Sequence, residues 1–193
     1  MMSIERLYSR ECPKSLSAEP MSHGLNPMTP ADILNILAQV QKHEPVGNLV
    51  LQAKIQLDIN SRSKLVNIIK EALRNQELNQ LGIRTELAEN AVREVCDTCI
   101  CPKCQGNGTV LYKKESRLIE CKNCAGVGRI IYTTKKLYLA INKNLLDKIT
   151  FEQFNADYYD TYMTAVDKLH VAEYAARRCA NEIMDKLAAD LAA

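Results

Sequence analysis

The chain has 193 residues, 47% of them hydrophobic and 25% charged, with a net charge of +2. That composition lies close to the soluble globular average, suits one medium domain or two small ones, and excludes wholesale disorder and collagen-like or coiled-coil fibres. With 7 Gly, 6 Pro and no Trp, beside much Ala, Leu, Lys, Glu and Asn, it favours helices over a β-sandwich or barrel.

Residues 1–28 carry Pro13, Pro20 and Pro27 among small polar residues without a sustained period, and read as a flexible arm. The start, MMSIERLYSRECPKS, has no apolar core of a signal peptide, and no apolar run reaches a bilayer-spanning length. The expectation is a cytoplasmic protein with no membrane partner. Thr29-Pro30-Ala31-Asp32 opens a helix whose Ile33, Ile36, Leu37 and Val40 line one face. Pro45 and Gly47 interrupt it, and the following Leu49 to Leu57 segment reads as helix. Ser63 caps a helix carrying Leu65, Ile68, Ile69 and Leu73, and Thr85 opens another with Leu87, Ala88, Ala91, Val92 and Val95. Residues 29–100 thus form an N-terminal helical part.

The segment 101–132 is different in kind. Val110-Leu111-Tyr112 and Leu118-Ile119-Glu120 are β-prone pieces flanking the charged tip Lys113-Lys114-Glu115-Ser116-Arg117, the pattern of a small hairpin. Helical spacing resumes over residues 133–193. Thr133 or Thr134 caps a helix with Leu137, Tyr138, Ile141 and Leu145, Thr150 starts one with Phe151, Phe154, Tyr158, Tyr162 and Val166, and a last helix runs from about His170 to Ala192. The aromatic stripe of these helices is expected in the core.

Six of the eight cysteines fall between Cys96 and Cys124. In a reducing compartment such clustering signals metal rather than disulfides. Cys101-Pro-Lys-Cys104-Gln-Gly106-Asn-Gly108 and Cys121-Lys-Asn-Cys124-Ala-Gly126-Val-Gly128 are one pattern, C-x-x-C-x-G-x-G, used twice, with 16 residues between the two Cys pairs. This is the spacing of a four-thiolate structural zinc site with Cys101, Cys104, Cys121 and Cys124 as ligands. The glycines allow tight turns that aim backbone N–H groups at the sulfurs, and Lys103 and Lys122 offset the excess negative charge. The paired glycine knuckles disfavour an iron–sulfur cluster. A catalytic zinc needs an open position, and His23, His43 and His170 all lie far from the cluster in sequence. Cys96 and Cys99 form a further C-x-x-C pair that could replace Cys101 and Cys104 or hold a second metal; the repeated glycines favour the four.

Charge is unevenly distributed. Residues 101–150 carry +7 and residues 151–193 carry −4. A basic block coinciding with a metal motif is the footprint of a surface that neutralises phosphates.

The C-x-x-C-x-G-x-G repeat alone resembles the zinc region of DnaJ-type co-chaperones, although that region normally has four repeats and follows a J-domain with a His-Pro-Asp tripeptide absent here. The closer likeness is to the late-gene antitermination protein Q family of lambdoid bacteriophages. It rests on the two knuckles, the Glu120-Cys121…Cys124-Ala-Gly126-Val-Gly128 stretch, the Tyr138-containing helix, the start around Pro13-Lys14-Ser15, and the overall length. The resemblance implies a non-enzymatic protein that binds double-stranded DNA at a phage late promoter. It also implies a partner, the bacterial RNA polymerase holoenzyme with its sigma factor, which is modified so that it reads through downstream terminators. In that family a helix-turn-helix and the zinc element form one DNA-binding unit. Carried onto this chain, the helix from Thr133 enters the major groove with Lys135 and Lys136 near its start, while Lys113, Lys114, Arg117, Lys122 and Arg129 track phosphates. The fold expected is therefore mainly α, a small helical bundle with a zinc-binding hairpin insertion and a helix-turn-helix-like C-terminal part.

Overall fold

In the computed structural model, which describes residues 3–9, 29–74, 81–97, 101, 103–104, 107–112, 117–126 and 133–190, the chain is mainly helical with one two-stranded sheet. The first element departs from the expected arm. Ile4–Ser9 form a short helix, α1, whose Ile4, Leu7 and Tyr8 are buried. Their spacing of three and four makes a one-turn apolar face that the Pro- and Ser-rich surroundings conceal. The Tyr8 hydroxyl donates to Oδ1 of the buried Asn48 at 2.7 Å, and the Tyr8 carbonyl accepts from Gln56 Nε2 at 3.0 Å. Residues 10–28 lie outside the described residues.

Thr29 caps α2 (Pro30–His43) reciprocally: its hydroxyl oxygen accepts from the Asp32 N–H at 3.2 Å, and Asp32 Oδ2 accepts from the Thr29 N–H at 2.7 Å. Pro45 then opens α3 (Pro45–Leu51), which widens into a π-type turn, Gln52–Gln56, and stops at Leu57 with φ of 56°. The next two helices begin earlier than periodicity suggests. α4 (Ile59–Arg74) starts ahead of Ser63, because the Asp58 carboxylate already accepts from the Asn60 and Ser61 N–H groups at 3.2 and 2.9 Å. Ser63 lies one turn inside, its hydroxyl donating to the Ile59 carbonyl. α5 (Leu81–Cys96) likewise starts before Thr85 and takes Gly82 into its first turn.

The hairpin forms where expected, with β1 (Thr109–Tyr112) antiparallel to β2 (Arg117–Glu120) in the register Val110 to Ile119 and Leu111 to Leu118. α6 (Thr134–Asn144) is capped by Thr133. A Thr150–Gln153 capping box opens α7 (Phe151–Gln153), which passes through a π-type turn, Phe154–Tyr158, into α8 (Tyr159–Asp190). The separate last helix expected from about His170 is part of α8, whose sequence holds no Gly or Pro to end it.

α8, about 48 Å long at 1.5 Å per residue, is the spine of the molecule. Its Tyr162, Ala165, Val166 and Leu169 enter one core with α4, α5 and α6, and its Ala176, Ala180 and Met184 enter a second with α1 and α2. α3 packs so closely on α8 that a Cβ on Gly47 would lie 2.1 Å from the Ala172 carbonyl oxygen. The four cysteines make a third, small core against which Val110 packs. No helix among the described residues is long and apolar enough to cross a membrane.

Candidate metal centre and cationic surface

The hairpin builds the cysteine site. Cys101 and Cys104 precede β1, Cys121 and Cys124 follow β2, and the ladder is extended by the Cys121 N–H donating to the Gly108 carbonyl at 2.8 Å. The two knuckles therefore close side by side at the open end of the hairpin. All four Sγ atoms lie within 4.8 Å of one another, and all four residues are buried. The Cys101–Cys121 and Cys104–Cys124 sulfurs stand 3.8 and 3.7 Å apart. Four thiolates at about 2.3 Å from a central ion have tetrahedral edges of about 3.8 Å. The donor set and its spacing fit one metal ion.

Asn123 inside the second knuckle donates its side-chain N–H to Cys101 Sγ at 3.1 Å. That bond, then the backbone N–H groups of Cys104 and Lys103 acting against burial, pulls the Cys101 thiol down to about 6, toward the thiolate a metal requires. Asn123 escapes a reading based on ligand spacing; the signal available was an amide between two ligands. The knuckle glycines contribute in a way the sequence does not announce. Gly108 has φ of 72°, and a Cβ there would lie 2.1 Å from the carbonyl oxygen of Gly126, so the two repeats touch through their glycines. The Gly126 N–H donates to the Cys121 carbonyl at 3.4 Å, which closes the second turn.

Cys96 does not join the cluster. It ends α5 inside the bundle core, where burial pushes its thiol up to about 11. Cys99 lies outside the described residues, as do Lys113, Lys114 and Arg129. Neither His43 nor His170 belongs to the cluster; His170 stands 3.9 Å from Glu173.

The remaining cations divide by use. Lys103 and Lys122 are exposed on the knuckles, Arg117 is exposed at the start of β2, and Lys135, Lys136 and Lys143 are exposed on α6. Among the described residues, none of these five lysines enters an ion pair. Lys148 is committed to structure: its ammonium donates to the carbonyls of Asn142, Lys143 and Leu145 at 2.8, 3.1 and 2.7 Å and caps the end of α6. Acidic groups of α8 pair elsewhere, Glu173 with Lys54 and Arg177, and Glu182 with Arg178.

A family model described as conserved hypothetical protein CHP02642 matches residues 1–97 and, in a second overlapping stretch, residues 73–189. The chain belongs to this family. The second stretch contains all four clustered cysteines and α6 to α8, so the family pattern runs through both the helical bundle and the knuckles. A search of curated proteins finds no match.

Proposed function

We propose that the chain is a zinc-propped, double-stranded-DNA-binding transcription factor of the lambdoid antitermination Q type. In this reading it engages a late promoter and the bacterial RNA polymerase holoenzyme with its sigma factor in the host cytoplasm, and lets the enzyme pass downstream terminators. The single observation that carries the reading is the set of exposed lysines on the knuckles and α6, Lys103, Lys122, Lys135, Lys136 and Lys143, that enter no ion pair among the described residues. Unpaired surface cations cost nothing in internal ion pairs when they turn to phosphate. Zinc is the ion of choice for four thiolates at single-ion spacing, whereas a multi-iron cluster would hold the sulfurs further apart. Bound there, it would fix the two knuckles against each other and supply no reaction chemistry, and the protein acts by binding and not as an enzyme.

DNA binding measured across salt tests the reading. Five phosphate contacts give a slope of log affinity against log salt of about −4.5, and a flat dependence removes DNA from the account. Run-off transcription from a late promoter with a downstream terminator, with and without the protein, tests antitermination itself.

One observation favours a second reading, a DnaJ-like protein-interaction module. Leu111 and Leu118, directly opposite each other in the hairpin, are 60% and 71% exposed. That reading predicts suppression of client aggregation without salt-dependent DNA affinity.

A further inference from the structure

Helix α6 has three sides. Leu137 and Ile141 are buried against the bundle, and Ala140 and Asn144 line a polar cleft of about 650 Å³ between α4, α5 and α6. The third side faces outward: Lys135, Leu139 and Lys143 recur every four residues along it, with Lys136 on its flank. Leu139 stands at the centre of this side, 57% exposed. The helix contains no Asp or Glu. Its far end is held by the Lys148 cap, and Asn142 takes no part in the outward side, because its amide bonds both the N–H and the carbonyl of Ile149 at 3.0 and 3.2 Å.

An apolar side chain ringed by cations, on a helix without carboxylates, suits a surface that is apolar at its centre and anionic at its rims. The major groove at an A·T pair is such a surface: the thymine C5-methyl lies on its floor and phosphates line its edges. An acid-rimmed apolar protein groove would present the same pattern; the DNA-binding reading above favours the duplex. Resting on the DNA-binding reading above, we infer that Leu139 is a specificity-determining residue that contacts thymine methyl groups, while Lys135, Lys136 and Lys143 hold the flanking phosphates.

The test compares the metal-loaded full chain and its Leu139→Ala variant on two duplexes, poly(dA-dT) and poly(dA-dU), which differ only in the C5-methyl. Alanine at this exposed helical position keeps the fold. The parent should bind the thymine duplex about fourfold more tightly than the uracil one, the worth of one buried methyl. Leu139→Ala should bind both equally, with the parent's salt slope. A parent that treats the two duplexes alike, or a Leu139→Ala protein that keeps the parent's preference, overturns the assignment to Leu139 while leaving DNA binding intact. Absent or salt-independent binding by the parent overturns the DNA reading, and the assignment with it.

Discussion

Gly108 and Gly126 occupy positive-φ positions in related knuckles, yet their surroundings differ. A methyl group on Gly108 meets the backbone carbonyl of Gly126 at 2.1 Å, and one on Gly126 meets the Glu120 side chain, whose Cγ lies 3.1 Å away. Backbone cannot retreat without moving a ligand-bearing turn, whereas a glutamate can change rotamer. Both substitutions cost about 1–2 kcal/mol in backbone strain, but only Gly108→Ala adds a clash that separates the two cysteine pairs. The expected outcome is lost metal stoichiometry for Gly108→Ala and a retained but weakened centre for Gly126→Ala, read by metal analysis and by thermal unfolding. The cysteines divide just as sharply. Cys121→Ser should lose the metal and, with it, a folding contribution to the insertion on the order of 10 kcal/mol. Cys96→Ala should keep full stoichiometry, because Cys96 belongs to the bundle core. Which four cysteines cluster was legible from spacing alone. The contact between the two glycines was not, because it is made by residues distant in sequence and only the hairpin register brings them together.

At the scale of single elements, caps were legible where one side chain decides them, as Thr29 and Thr150 do, while the choice between Thr133 and Thr134 fell to Thr133 only in the structure. They were missed where two residues compete. Asp58 starts α4 ahead of Ser63, since a carboxylate is the stronger acceptor for free N–H groups near a helix dipole. Around α6, counting lysines does not separate those merely left exposed, such as Lys143, from those that hold the fold, such as Lys148. Lys148→Met should remove three charge-assisted bonds to the end of α6 and lower stability by about 1–2 kcal/mol, while leaving the salt dependence of DNA binding unchanged. Lys143→Ala should do the reverse, reducing the slope by about 0.9 with little change in unfolding temperature. Denaturant titration and DNA titration of the same two proteins decide the matter; equal slopes for Lys143→Ala and parent would place Lys143 off the DNA.

For the molecule as a whole, the two helical cores are joined by α8, a single rod that periodicity divided because the aromatic stripe of its first half gives way to alanines in its second. Along the alanine-rich half runs a charged network. Glu173, buried, accepts from Lys54 Nζ and from Arg177, and Arg177 also reaches Glu5 of α1 at 2.7 Å. Burial alone would raise the Glu173 carboxyl, but the hydrogen bonds and charges of Lys54 and Arg177 outweigh it and hold the group below its ordinary value of 4.5. Glu5 is held low as well, chiefly by its hydrogen bond from Arg177. A carboxylate whose folded value is depressed contributes stability that is complete above its unfolded value and is lost as pH falls through the folded one. The network should therefore hold α1 and the turn around Lys54 to α8 at neutral pH and let go below about pH 4.5. Removing one partner of so buried a cluster leaves Lys54 and Arg177 facing a neutral amide. Glu173→Gln should then lower stability at pH 7 by about 1–3 kcal/mol and flatten the acid limb relative to the parent. Measuring the parent-minus-variant difference from pH 7 to pH 3 cancels any acid effect at the cysteine cluster, which both proteins share. A difference that stays constant across that range would mean that Glu173 is not the group that titrates, and hydrogen exchange at Ile4–Ser9 would then show whether α1 is held by Leu7 and Tyr8 alone.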